Sequence, residues 1–245
     1  WFNELIYLQI KTTGYIGKWI STSTLERAIT ILKGVVGITI ALRMFLVSTS
    51  YSSSIIKKKA YIHRLTNNSW VIEDKLELEN DISKLISDLR VETYEGFLST
   101  DEKIENNLSE SLDKMSKALV QEELSERLIL AGMWYFDSFS GGNELLSFVQ
   151  TTVALEILLG DKAVSDLMGL GELLKNRCAY LIGHNYSQRE KILADFKEIY
   201  DVRSNIVHRG KSKLTNYEMR LLLKLQWMVG RVIQEEVELI GRNEE

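Results

Sequence analysis

Proline is absent from all 245 residues of the sequence, although average usage of ~5% predicts about 12. Proline interrupts helices more strongly than any other residue, so its absence removes the main obstacle to long helices. Apolar residues recur at helical spacing along most of the chain, and almost no segment alternates with period two. We therefore predict an all-α fold, an up-and-down helical bundle with an additional N-terminal helical part. Because the chain starts at Trp1 and has no proline, we also expect it to lack proline-containing loops of a longer protein.

The sequence divides by charge near residue 72. Residues 1–72 hold nine Lys or Arg and two acids, a net charge of +7, which leaves −11 for residues 73–245. We predict a basic N-terminal helical region over 1–72, serving as a sensor, a dimer clamp or the remnant of a larger domain, and a helical bundle over 73–245. A basic segment that packs near an acidic one explains the contrast more simply than a nucleic-acid-binding arm does.

The first long helix is predicted from Thr24 to about Val47. Lys33 and Arg43 leave only nine uncharged residues between them, whereas a membrane span needs ~20 apolar positions. We therefore expect a buried or interfacial helix and no membrane span. The glycines of Gly34-Val-Val-Gly37 are predicted to permit close packing against another helix.

Helical patterns continue through the remainder of the chain. Residues 73–126 hold sixteen acids against six basic residues, and their apolar positions predict surface helices whose acidic side faces solvent. The apolar residues 124–139 predict a core or interface helix. Later boundaries are predicted from caps and glycines: a helix from Asn143 to Gly160, a helix or broken pair over 163–182 interrupted at Gly169 and Gly171, and a last helix from the Thr215–Glu218 capping box to about Ile240.

The stretch from Ser187 to Gly210 is predicted to be one helix that begins at a Ser187–Glu190 capping box. Arg203 lies on its apolar stripe. A guanidinium stays charged and is costly to bury unpaired, so Arg203 must meet a carboxylate, a phosphate or a subunit interface. Glu156, among the apolar positions of an earlier helix, is either a partly exposed acid or the carboxylate that holds Arg203. The stripe consists of Ile192, Leu193, Phe196, Ile199, Ile206 and Val207.

The end of this helix carries a histidine within a basic patch. No acid lies between Asp201 and Glu218, so this interval is locally positive in a chain that is acidic on balance. Histidine is the side chain best suited to proton transfer near neutral pH, so His208 is the candidate for a titrating group. The basic residues that follow it are Arg209, Lys211 and Lys213.

The segment Arg203-Ser-Asn-Ile-Val-His208 resembles the R-x4-H motif of the HEPN superfamily. Its surroundings resemble the Apea-like branch of HEPN domains, which is found in bacterial anti-phage and abortive-infection proteins. The resemblance covers residues 143–241, and the runs that carry it are Leu155–Gly160, Arg177–Gly183 and Tyr200–Arg203. It implies a HEPN-like helical bundle over this part of the chain.

The resemblance also implies an activity, a metal-independent RNA endonuclease of the bacterial cytoplasm that needs no cofactor. HEPN ribonucleases are typically homodimers whose two motif helices meet across a cleft, here residues 187–210. A phage-derived activator or partner protein would regulate such an enzyme. Arg203 and His208 would be catalytic, with Asp201, Ser204, Asn205 and Glu156 in support, while Arg209, Lys211 and Lys213 would bind RNA.

Cleavage of RNA without metal requires little machinery, because the substrate's own 2′-hydroxyl is the nucleophile. The protein must supply proton transfer, which suits His208, and positive charge on the phosphorane, which suits Arg203. Ser204 and Asn205 would donate hydrogen bonds. A helix turns ~100° per residue, so residues five positions apart point about 140° apart. Either the helix unwinds before Gly210, or the site is composite between two protomers.

The sequence also bears on metal sites, on other catalytic motifs and on functions other than a nuclease. Three histidines and one cysteine, without H-x-x-x-H or C-x-x-C spacing, do not predict a metal site, and neither a P-loop nor G-x-S-x-G occurs. Cys178 is predicted to be a small buried hydrophobe. The alternatives to a nuclease are a non-catalytic HEPN-fold module for protein association or sensing, and a structural helical subunit in which Arg203 pairs with Glu156.

Overall fold

The computed structural model describes residues 8–14, 23–48, 57–91, 100–120 and 122–242. Within these ranges the chain forms nine α-helices and four short β-strands. The helices are α1 (Ser23–Ala41), α2 (Asn80–Asp88), α3 (Asp101–Val120), α4 (Glu122–Ser140), α5 (Glu144–Leu159), α6 (Lys162–Met168), α7 (Leu170–Ile182), α8 (Tyr186–Arg209) and α9 (Asn216–Arg242). The strands are β1 (Phe45–Val47), β2 (Lys59–Thr66), β3 (Ser69–Glu77) and β4 (Leu89–Val91).

The described chain is mostly helical, as predicted, but it is not all-α. β1 pairs antiparallel with β4, and β2 pairs antiparallel with β3 in a hairpin. Residues 59–72 were assigned to a helical region, yet they lie in this hairpin. The first helix ends at Ala41 rather than near Val47, because residues 45–47 form ladder bonds with residues 89–91. Such a pairing between distant segments leaves no local signal in the sequence.

The turn of the β2–β3 hairpin has a local cause in the sequence, but its strands lack the usual local signal of a strand. Asn67 and Asn68 both have positive φ, the conformation that a two-residue hairpin turn of the primed type requires and that asparagine tolerates. A register shift between Ile62 and His63 gives β3 one extra residue. Most positions of both strands are exposed, so the alternation of buried and exposed side chains that reveals a strand is missing.

Helix α9 lies at the centre of the main core and packs against α1, α3, α4, α5, α7 and α8. Most of the apolar side chains of α9 are fully buried, and only one stripe of the helix is exposed. The predicted capping box at its start is present, because Thr215 N donates to Glu218 Oε2 at 2.8 Å and Glu218 N to Thr215 Oγ1 at 3.3 Å. The buried positions of α9 are Leu221, Leu222, Leu225, Met228, Val229, Val232, Ile233, Val237 and Ile240.

Glycines let α1 and α4 cross in backbone contact. A Cβ atom placed on Gly37 would lie 1.9 Å from the carbonyl oxygen of Gly132, and one on Gly34 would lie 2.5 Å from the carbonyl oxygen of Ile129. Any side chain at these positions would force the helices apart. The predicted role of Gly34 and Gly37 in close helix packing is therefore confirmed.

A second, smaller core lies between α2, α4 and the base of the hairpin. Leu78, Ile82, Leu85 and Phe136 are buried in it, and the hairpin adds Ala60 and Leu76 at its edge. Only the base of the hairpin is thus anchored to the helical body. In the described part of the chain, no helix is long and apolar enough to cross a membrane.

Candidate functional site

Helix α8 carries the predicted catalytic residues and is capped two residues before the predicted position. Asn185 is the N-cap, and its side chain accepts a hydrogen bond from Gln188 N at 2.9 Å. The Ser187–Glu190 capping box was therefore wrong, since Asn and Ser are comparable caps and the earlier one is used. The helix packs on α5, α7 and α9. Its buried stripe is Ile192, Phe196, Ile199 and Val202.

Near the end of α8 the buried stripe shifts around the helix. This shift determines how far Arg203 is exposed. Val202 is buried and Ile206 packs on the core, whereas Val207, expected on the core side, is 47% exposed. Arg203 lies at the margin of the buried stripe, and its side chain is 26% exposed. It is therefore neither in the core nor free in solvent.

The structure brings Glu156 of α5 and Arg203 of α8 together. An Nη of Arg203 donates to Glu156 Oε1 at 3.3 Å, and the Glu156 side chain is 20% exposed. An ion pair in this partly shielded position is screened less than a surface pair. Its carboxylate holds the guanidinium at the surface between α5 and α8.

Tyr200 is a third member of this cluster, which the sequence analysis did not identify. Its hydroxyl donates to the same Glu156 Oε1 at 3.2 Å. Burial, reinforced by the negative charge of Glu156, raises the pKa of the Tyr200 phenol, so the hydroxyl keeps its proton. Tyr200 precedes Arg203 by three positions and lies on the same helix face, which is the only signal that the sequence contains.

Packing fixes the Tyr200 ring as firmly as the hydrogen bond fixes its hydroxyl. The ring stacks on Phe196 with centroids 5.5 Å apart. A Cβ on Gly171 of α7 would lie 3.0 Å from the ring, so glycine gives the ring room. Glu156 thus holds Arg203, and Tyr200, whose ring is fixed by packing, positions Glu156.

One donor of Arg203 is left over by these contacts. Its Nε is buried and has no hydrogen-bond partner within the described ranges. A buried donor without a partner costs free energy, and an oxygen of a water molecule or a bound anion would satisfy it. The cluster is therefore incomplete as a hydrogen-bonded unit.

His208 lies elsewhere on α8, in its last turn, and is exposed. The helix stays regular through Arg209 and ends at Gly210, whose φ of 64° is the left-handed conformation that favours glycine at a C-terminus. Gly210 N donates to Asn205 O. Because the helix does not unwind before Gly210, Arg203 and His208 point about 140° apart. They do not share one site within a single chain.

The supporting residues follow His208 rather than Arg203. Asp201, Ser204 and His208 are exposed, and Asn205 is half-buried. At ~100° per residue these four positions fall on one side of α8. The helix therefore presents a polar face that contains the imidazole, whereas Glu156 lies with the arginine.

The basic patch after His208 is only partly available to a ligand. Lys211 forms an ion pair with Glu218 at 3.0 Å. Burial raises the pKa of Glu218, but hydrogen bonds from Thr215 and from the Lys211 ammonium outweigh burial, so its pKa lies below the ordinary value. Arg209 and Lys213 are exposed. Of the three predicted phosphate contacts, Lys211 thus already has an internal carboxylate partner.

Within the described ranges, no three His, Cys, Asp or Glu side chains are grouped as a metal site would require. Comparison with known proteins finds no matching family model, no matching curated protein and no matching solved structure. A function is therefore inferred from the geometry of α5, α7 and α8.

Proposed function

We propose that this protein is a metal-independent RNA endonuclease of a HEPN-like type, in which two protomers contribute to each site. The observation that carries the proposal is the separate placement of Arg203 and His208 on α8. An arginine is held between two helices by Glu156, which also accepts from Tyr200, while an exposed histidine five residues later lies in a basic, polar turn. The motif resemblance of Arg203 to His208 adds the reaction class.

His208 is suited to the proton transfers of the reaction. As a base it takes the proton of the ribose 2′-hydroxyl, whose oxygen then attacks the adjacent phosphorus. The bond from phosphorus to the 5′-oxygen breaks, and that oxygen takes a proton from an acid, the imidazolium of a second His208 or water. The products are a 2′,3′-cyclic phosphate and a 5′-hydroxyl, with no net change in protons. Histidine is the side chain that most often takes either role, and His208 is exposed.

Arg203 is suited to binding the charge that develops on phosphorus. A guanidinium that is already oriented loses little entropy when it meets a phosphate, because its side chain is held in advance. The Nη donors of Arg203 that do not bond to Glu156 can donate to phosphate oxygens. Glu156 and Tyr200 are positioning residues in this account, and Asp201, Ser204 and Asn205 support the imidazole and the substrate.

Two protomers are needed because the two side chains diverge on a regular helix. Five residues of α-helix also separate Arg203 and His208 by about 7.5 Å along the axis. A two-fold axis between two antiparallel α8 helices would place Arg203 of one chain beside His208 of the other. Arg209 and Lys213 would then line both ends of the cleft and bind the RNA backbone.

The motif resemblance carries the biological setting of the proposal. A chain of this type would act in the bacterial cytoplasm during phage infection, and a phage-derived signal or partner protein would switch it on. Control of this kind would keep a ribonuclease inactive until infection.

The test is RNA cleavage by the purified chain in the presence of EDTA. Arg203→Ala and His208→Ala should each lower cleavage by at least about 100-fold, while His184→Ala, which removes another exposed histidine, should leave it unchanged. Cleaved ends should carry cyclic phosphates. Cleavage that persists in both motif variants would remove the site assignment.

The second candidate is a non-catalytic HEPN-fold module for protein association or sensing. The ion pair between Arg203 and Glu156 favours it, because the charge of the arginine is already balanced within the chain. Absence of cleavage under every activating condition, together with association that depends on α8, would support this alternative.

A further inference from the structure

The hairpin of β2 and β3 carries a row of exposed apolar side chains. Its side chains alternate between two faces, and the outer face is the one that carries Tyr61. The pairing of the strands places Lys59 beside Glu77, Tyr61 beside Lys75, His63 beside Ile72 and Leu65 beside Trp70 on that face. Four of these side chains are large, apolar and about half exposed: Tyr61 47%, Leu65 54%, Trp70 51% and Ile72 58%.

Packing among the described residues does not cover this outer face. The inner face of the hairpin contacts the small core only at its base, through Ala60 and Leu76. Neither strand has a second neighbour in the described part of the chain. Two-stranded hairpins are marginal in water by themselves, and natural proteins cover or charge such edges. A hairpin with a row of exposed apolar side chains is therefore expected to have a partner.

The charges of the two strands indicate what the partner is. On the outer face β2 carries Lys59 and no acid, whereas β3 carries Glu77 and Lys75. Arg64 lies on the inner face and bonds to Glu73 of its own hairpin. When two copies of this hairpin pack face to face about a two-fold axis parallel to the strands, each β2 lies over the partner's β3. Lys59 of each copy then lies over Glu77 of the other, so the outer face presents two pairs of opposite charge to itself.

We propose that this hairpin face is a self-association surface, on which a second copy of the chain packs its own β2 and β3. The tip of the hairpin argues against insertion into a lipid surface, because Thr66, Asn67, Asn68 and Ser69 are polar. The four apolar side chains offer roughly 100 Å² each, about 400 Å² per copy, which is half of a standard interface. The association is therefore weak and depends on concentration.

This surface is distinct from the one proposed for RNA cleavage. The hairpin is anchored beside α2 and α4, whereas α8 packs on α5, α7 and α9. The inference does not depend on whether the chain cleaves RNA. If both surfaces are used, a chain joined through α8 to one copy binds another through its hairpin, and the assembly grows beyond a dimer.

Sedimentation velocity over about a hundredfold range of concentration tests the proposal. The wild-type chain should show a concentration-dependent association step. Leu65→Lys and Trp70→Lys should each weaken that step at least about tenfold, while Leu167→Lys, at a side chain 88% exposed on α6, should leave it unchanged. Circular dichroism should show the same melting temperature for all four chains.

Charge reversal gives a second set of variants that keeps the apolar row intact. Lys59→Glu should weaken the association, because the new carboxylate faces Glu77 of the second copy, and adding Glu77→Lys should restore it. Association that is unchanged in the Leu65, Trp70 and Lys59 variants would overturn the proposal. So would a wild-type chain that shows no concentration-dependent step, which would leave the hairpin to a different partner.

Discussion

The α5–α8 face and the β2–β3 hairpin place polar and apolar groups in opposite ways. On the α5–α8 face a charged arginine is partly withdrawn from solvent and held by Glu156, which Tyr200 positions. On the hairpin, tryptophan and isoleucine stand in solvent. Each arrangement costs free energy in the isolated chain. The comparison is the reason why we propose a partner outside the chain for both surfaces, an anion in one case and an apolar face in the other.

The largest effect on stability is expected where α1 and α4 cross, in the part of the fold that supports both regions. Gly37→Leu should lower the free energy of unfolding by more than about 3 kcal/mol or prevent folding, because a side chain there would overlap the Gly132 backbone. Gly142→Ala is the matched control, since its Cβ would meet nothing within 4 Å. Denaturant unfolding measures both, and a Gly37 variant as stable as wild type would refute the close crossing of α1 and α4.

A smaller effect is expected within the α5–α8 cluster. Glu156→Gln should cost about 1–2 kcal/mol, because Arg203 then lacks a charged partner in a partly shielded place. Tyr200→Phe should cost about 1 kcal/mol, because only one hydrogen bond is lost. Urea unfolding of the two single variants and the double variant would show coupling between them. Purely additive losses would mean that the tyrosine does not position the glutamate.

The end of α8 and the start of α9 provide a prediction that depends on pH. The folded-state pKa of Glu218 is below its ordinary value of 4.5, so its carboxylate adds stability above that pH and loses it as the pH falls through the folded pKa. Glu218→Gln should therefore be less stable than wild type by about 1 kcal/mol at pH 7. The difference should shrink on acidification below pH 4.5. A difference that stays constant between neutral and acidic pH would contradict the ion pair with Lys211.

The smallest effect on stability is expected on the hairpin. Trp70→Ser should change the free energy of unfolding by no more than about 0.5 kcal/mol, because the side chain is half exposed and touches little of the core. Phe136→Ala, in the core beneath the hairpin, should cost about 3–5 kcal/mol. Thermal unfolding of dilute protein compares them. A loss above about 1.5 kcal/mol for Trp70→Ser would show that the hairpin packs on its own chain.

How far the sequence predicts the structure also differs between these two regions. The helix from Asn143 to Gly160, the break at Gly169 and the start of α9 at Thr215 all follow from short-range rules for caps and glycines. The hairpin was missed because the bulge and two exposed faces hide its alternation. Tyr200 was missed because its partner, Glu156, lies 44 positions away in the chain. Local chemistry thus predicts several helix boundaries, although not the start of α8 or the end of α1. Contacts between elements that are distant in the sequence depend on the whole fold.

The most direct test of the composite site is complementation between two inactive chains. Arg203→Ala and His208→Ala chains are mixed with subunit exchange, and RNA cleavage in EDTA is measured against each chain alone. The account predicts recovery of about one quarter of wild-type activity, because half of the dimers are mixed and one of their two clefts is intact. A mixture no more active than its components, while the wild-type chain cleaves RNA, would contradict a site shared between protomers.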